Sequence, residues 1–150
     1  MIKTTPCDLL EQLISKAKSS GADSADAMFV ENRSLSVAQR LGKPESIERS
    51  EDKDLGLRVF VGKRNATVST TDMKPESLDK LIDRVVSMAK VAPEDPYARI
   101  ANASEIITSN PKIELFDPSE PSAEKLIERA SLAEESALAV TGVTNSEGGE

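Results

Sequence analysis

The amino-acid sequence predicts an α+β fold, a two-layer sandwich in which a mainly antiparallel sheet carries helices on one face. Three observations predict it. Apolar residues recur at helical spacing near the start, the middle and the end of the chain. Apolar–polar alternation of period two is confined to residues 25–68, and short turns separate the alternating runs. Strands segregated from helices in this way mark an α+β arrangement, and short connections favour an antiparallel meander.

The first helix is expected over Asp8–Ser20, where Leu9, Leu10, Leu13, Ile14 and Ala17 share a face. Pro6 suits its start and Gly21 its C-terminal cap. The alternating region then reads as a run around Ala27–Val30, a turn at Glu31-Asn32-Arg33 and a second run around Leu35–Arg40. A break at Gly42-Lys43-Pro44 precedes a short run near Ile47. Leu55, Leu57, Val59 and Val61 alternate cleanly with Gly56, Arg58 and Phe60, and a hairpin loop over Gly62–Asn65 leads to Ala66–Thr70. A second helix covers Pro75–Val91, with Leu78, Leu81, Ile82, Val85 and Ala89 as its stripe and Pro93 as its stop. The stretch Pro93–Pro121 is irregular, with one helical turn near Ser104–Ile107 and an extended piece at Ile113–Phe116. A third helix runs from the N-cap Ser122 to Val140, its stripe Leu126, Ala130, Ala133 and Ala137, and Gly142 ends it.

Composition narrows the function. The 150 residues contain no histidine, one cysteine and no tryptophan. Imidazole is the commonest general base and transition-metal ligand, so hydrolysis within this chain would have to proceed without it. A net charge of −7 and few aromatics argue against a nucleic-acid partner, which needs clustered cations and stacking surfaces. No apolar run approaches the roughly 18 residues that span a bilayer, and the first residues lack the pattern of a secretory leader. Cys7 has no partner for an intrachain disulfide, which suits a cytoplasmic location and leaves the Asn-x-Ser/Thr triplets at Asn32, Asn65 and Asn102 without meaning as glycosylation sites.

Several residue sets invite a chemical reading and fail it. Asp52 and Asp54, with Glu48 and Glu51, supply the first carboxylates of a calcium loop, but the glycine is displaced and Lys63 stands where the closing bidentate carboxylate belongs. Gly62-Lys63 lacks the earlier glycine of a phosphate loop, since position 57 is Leu57, and Arg64 replaces the magnesium-binding hydroxyl. Ser77/Lys80 and Ser122/Lys125 have the spacing of a Ser–Lys nucleophile, a pattern expected by chance in a chain this rich in both. Cys7 lies before a helix with no base to activate it. Catalytic, cofactor-binding and metal-ligating residues are therefore expected to be none.

Four stretches together resemble the N-terminal domain of the TldD/PmbA metallopeptidase family. They are Leu55-Gly56-Leu57-Arg58-Val59-Phe60-Val61-Gly62, Ser69-Thr70-Thr71-Asp72-Met73, Ala92-Pro93-Glu94-Asp95-Pro96-Tyr97 and Asn145-Ser146-Glu147-Gly148-Gly149. Leu115-Phe116-Asp117-Pro118 matches as well, and the Pro93–Tyr97 loop draws the chain toward the PmbA (TldE) branch. The resemblance covers essentially the whole chain and implies one N-terminal domain over residues 1–150, with the family's C-terminal half absent.

It further implies a TldD–PmbA heterodimer that acts on unfolded or short peptides. That assembly is linked to microcin maturation, antitoxin degradation and modulation of DNA gyrase inhibitors. Zinc would be bound by a His-Glu-x-x-x-His helix and a cysteine in the C-terminal half of TldD, and none of these ligands maps onto a position here. The expected role is a non-catalytic domain, inactive alone, that partners a TldD-like subunit and its own C-terminal half. Two other readings remain: a free-standing peptide- or protein-binding adaptor, and a carboxylate-only or Mg/Ca-dependent enzyme. Exposed apolar surface is expected around Phe60 and along Ile113–Phe116, where it could also support a homodimer.

Overall fold

The computed structural model describes residues 5–109 and 111–150. The elements, in chain order, are α1 (Pro6–Ser19), β1 (Ser24–Arg40), β2 (Lys43–Val61), β3 (Arg64–Thr70), α2 (Pro75–Val91), a single 3₁₀ turn (Ala103–Glu105) and α3 (Ala123–Leu138). The strands form one antiparallel sheet in the order β1-β2-β3. This is the α+β arrangement that the segregated strands predict. The described backbone groups into two compact units: residues 5–31 with 52–109, and residues 32–51 with 111–150.

In the first unit, α1 and α2 cover one sheet face. Leu55, Leu57 and Val59 of β2 and Ala25 of β1 pack with Leu13 and Ala17 of α1 and with Leu78, Ile82 and Val85 of α2. Every one of these side chains is aliphatic, because the sequence offers so few aromatics; Phe29 contributes only from the cluster's margin. A box caps α1. The Asp8 N–H donates to Thr5 Oγ1 at 3.2 Å, and the Thr5 N–H donates back to Asp8 Oδ2 at 2.8 Å. The Thr5 hydroxyl holds the Asp8 carboxyl below its ordinary range.

The second unit has a much thinner interior. Its fully buried residues are Val37, Gln39, Ala130 and Glu134, so half of them are polar. Specific hydrogen bonds therefore do in this unit what apolar area does in the first.

Several expectations need correction. The run Glu31-Asn32-Arg33 is not a turn: β1 passes straight through it. The alternation fades there because residues 30–34 are exposed on both sides of the ribbon, leaving no core to write an apolar pattern. The real turn is Leu41-Gly42, both with positive φ (48° and 72°), the two-residue geometry that matches strand twist. Consequently the run near Ile47 and the strand Leu55–Val61 are one element, and the β2–β3 turn shrinks to Gly62-Lys63, with Gly62 at φ 60°. Phe60, expected at the surface, is only 4% exposed.

Candidate functional site

Four of the motifs singled out in the sequence perform local structural tasks. On β2, the Arg58 guanidinium lies 5.1 Å from the Phe60 ring centroid and forks onto the Asp26 carboxylate of β1, its Nε donating to Oδ1 at 3.1 Å. Asp26 in turn keeps the Arg58 guanidinium charged, above its ordinary value. The Ser69–Met73 stretch closes β3 and opens α2, whose N-cap, Lys74, has no capping side chain. Asp72 substitutes for the missing cap: its carboxylate accepts from the Lys74 N–H at 3.1 Å and from Ser77 Oγ at 2.7 Å. The Ser77 hydroxyl draws the Asp72 carboxyl below its ordinary range.

The Pro93–Tyr97 loop clasps the β2–β3 turn. The Asp95 N–H donates to the Lys63 carbonyl at 2.7 Å, and Glu94 pairs with Arg64 at 2.9 Å. The Tyr97 N–H donates to Asp95 Oδ1 at 2.9 Å, which tightens the loop and leaves the Tyr97 ring 86% exposed. Further along, Arg99 forks onto Glu105 and pulls its carboxyl down to about 2.

In the second unit, the Asn145–Gly149 segment pairs with the tip of β1. The Gln39 N–H donates to the Gly149 carbonyl at 3.0 Å, and the Gly149 N–H donates to the Gln39 carbonyl at 2.9 Å. Both glycines are required. Gly148 has φ 111° and a Cβ there would strike the Gln39 carbonyl; a Cβ on Gly149 would lie 2.5 Å from the Ala130 carbonyl oxygen of α3. Beside them the buried Glu134 side chain accepts from the Leu41 N–H at 2.8 Å and the Gly42 N–H at 3.1 Å. Those two backbone donors hold its carboxyl below the ordinary glutamate range.

Glu134 was not among the residues the sequence marked, whereas Gln39 falls on the face that Leu35 and Val37 line in the sequence pattern. A signal existed: Glu134 lies four residues after Ala130, on the apolar stripe of its helix, where an ionisable side chain needs a reason. Its pH dependence has a definite sign. A lowered folded-state pKa contributes stability fully present above the ordinary glutamate value and lost as pH falls through the folded value. Protection of the Leu41 and Gly42 amides, taken relative to the intrinsic exchange rate at each pH, should therefore fall on acidification in the wild type, and Glu134→Ala should already lack it at neutral pH. Tip amides that stay protected in Glu134→Ala would rule out the carboxylate as the clamp.

The sequence-derived chemical candidates do not assemble. Ser77 Oγ donates to Asp72, not toward Lys80; Ser122 Oγ accepts from the Lys125 backbone N–H at 3.4 Å while Lys125 Nζ pairs with Glu128. The acidic residues Glu48, Glu51, Asp52 and Asp54 lie exposed on β2, with Glu51 paired to Arg49 at 3.0 Å. Among the described residues no group of three or more Cys, Asp or Glu side chains is placed to hold a metal ion. Cys7 is exposed in the first turn of α1. An open groove of about 460 Å³ lies between the N-terminal turns of α1 and α2, lined by Leu9, Leu13, Phe29, Met73 and Leu78. The lysines at its rim are already engaged, Lys16 with Asp79 at 2.6 Å and Lys53 with Glu31 at 3.2 Å.

The feature best suited to recognition is the outer edge of β3. Its register with β2 runs from Val61↔Arg64 at the turn to Leu55↔Thr70. The pair flanking a two-residue turn exchanges both hydrogen bonds, so Arg64, Ala66, Val68 and Thr70 bond inward. The N–H and C=O groups of Asn65, Thr67 and Ser69 consequently point outward, and their side chains are small and polar. The strand holds no proline, and its one charged residue, Arg64, sits at the turn end opposite Val61 and is paired with Glu94.

Residues 25–89 match the family model described as PmbA/TldA metallopeptidase domain 1. Metalloprotease PmbA of Escherichia coli O157:H7 is 32% identical over 145 residues, an alignment that takes in 94% of this chain and 32% of that protein. Among solved structures, a proposed modulator of DNA gyrase from Bacteroides thetaiotaomicron superposes with a TM-score of 0.80 at 19% identity, over 92% of this chain and 32% of that one. TldE from Thermococcus kodakarensis gives 0.63 at 20% identity, over 85% and 29%. At these identities the structures establish the fold alone. The chain spans about a third of the length of the relatives it matches.

Proposed function

Since the chain carries a first domain of the PmbA/TldA metallopeptidase family, we propose that it is the non-catalytic first domain of a PmbA/TldE-like subunit. That subunit would work with a TldD-like partner and the remainder of its own fold as a cytoplasmic zinc metallopeptidase. The observation that carries this reading is that the four family stretches described above hold local structure together, in a chain without histidine. Zinc asks for three or four imidazole, thiolate or carboxylate ligands in tetrahedral reach, and the described residues offer no such set. The residues here do not fit that metal, and no catalytic step is derived through it. What remains for this domain is shape: a rigid sheet, a clasped turn and an edge.

On this reading, peptides that the assembly processes, including antitoxins or microcin precursors, meet β3 as an added strand. Main-chain hydrogen bonds to Asn65, Thr67 and Ser69 would give grip with little sequence preference, as a peptidase of unfolded substrates requires. Two measurements test it. Zinc analysis and peptide-cleavage assays on residues 1–150 should show neither bound metal nor turnover, both appearing only with a TldD-like subunit. Stoichiometric zinc with chelator-sensitive cleavage by these 150 residues would overturn the role. Separately, an unfolded peptide should slow amide exchange at Asn65, Thr67 and Ser69; unchanged rates would remove the edge from the proposal.

A further inference from the structure

The paired hydrogen bonds between Gln39 and Gly149 form an antiparallel bridge on the side of β1 away from β2. Parity fixes what lies beyond it. Because Gln39 bonds outward, so do Val37 and Leu35, while the alternate residues bond to β2. The outward N–H and C=O groups of Leu35 and Val37 have no backbone partner among the described residues. Alongside them runs a groove of about 280 Å³ between β1 and α3, lined by Leu35, Val37, Leu126, Ala130, Ala133 and Glu150. At Gly149 the helix backbone presses so close that no side chain fits; two residues along β1, at Val37, the groove opens.

We infer that this rail and groove take the polypeptide that follows Glu150 in a full-length chain, as a fourth strand antiparallel to β1. The register is set by the existing bridge. The second residue after Gly149 stands opposite Val37, with its side chain in the groove, and the fourth stands opposite Leu35. The third stands opposite Ser36, on the exposed side. The occupant is argued from direction and length: the backbone at Gly149 already runs along β1 in the pairing orientation, and the matched relative is about three times as long as this chain. The segment would bury Leu35 and close a unit whose interior is otherwise thin. The inference is independent of any peptidase role.

The test uses the full chain expressed from its own gene. Amide exchange at Leu35 and Val37 should be at least ~100-fold slower than that of unstructured amides, as for paired interior strands. Ser36→Cys, in a Cys7→Ser background, should form a disulfide with a cysteine at the third position after Gly149. Residues opposite one another at such a pair have Cα atoms about 4.5 Å apart, within disulfide reach. Ser34→Cys, one register step away, should not cross-link to that position. Fast exchange at Leu35 and Val37 overturns the inference. So does protection without the Ser36 cross-link, because another segment would then be the occupant. A reading frame that stops at Glu150 ends it outright.

Discussion

Replacing Leu57 by alanine is expected to cost the first unit about 3–5 kcal/mol, the upper range for a fully buried leucine. Leu57 has no exposed surface and sits on β2 in the cluster that joins the sheet to α1 and α2. The loss has two parts, the transfer free energy of the deleted carbons and the contacts forfeited around a cavity that an aliphatic core of rigid Val and Ile cannot fill. A change of that size lowers the melting temperature of a domain this large by roughly 10 °C or more. Amide exchange should accelerate across β3 and α2 first. Calorimetry showing a shift under 3 °C would mean that the cluster is not what holds this sheet to its helices.

The second large effect belongs to Gly149. Gly149→Val places a branched side chain where even a Cβ would sit 2.5 Å from the Ala130 carbonyl oxygen. The clash is with helix backbone, which cannot rotate aside, so the bridge to Gln39 must break or α3 must move. Overpacking of this kind costs about 1–3 kcal/mol or more, and here it falls on a unit with only Val37 and Ala130 as buried apolar residues. Loss of protection at Gln39, Leu41 and Gly42 is the expected signature, with the Leu57 cluster left intact. Gly149→Ala should show the same pattern more mildly. A variant in which Gln39 stays protected would place the segment's stability elsewhere.

Much of the fold was legible because the first unit writes its core into the sequence. The stripe of α2 from Leu78 to Ala89, bounded by Pro75 and Pro93, fixed both ends of that helix, and Leu55–Val61 announced a half-buried strand. The second unit was harder. A ribbon exposed on both faces at residues 30–34 carries no period, so its polar run imitated a turn. The clamp formed by Glu134 on the Leu41-Gly42 turn joins residues more than 90 positions apart, a relation that local pattern cannot express. For the candidate site, the motifs that the sequence singled out were legible only as a family pattern. Their physical reasons, such as the two glycine contacts and the Asp95–Lys63 clasp, required coordinates.

The chain enters the second unit at Asn32, leaves it after Glu51 and returns at Pro111. During synthesis, everything the first unit needs has been made once residue 109 has cleared the ribosome, so its core can consolidate early. The hairpin tip, by contrast, emerges long before Glu134 and Gly149 exist to hold it. For that interval the polar end of the ribbon waits unclamped in the cell, a window in which a chaperone or a protease can act on a nascent chain that is already half built.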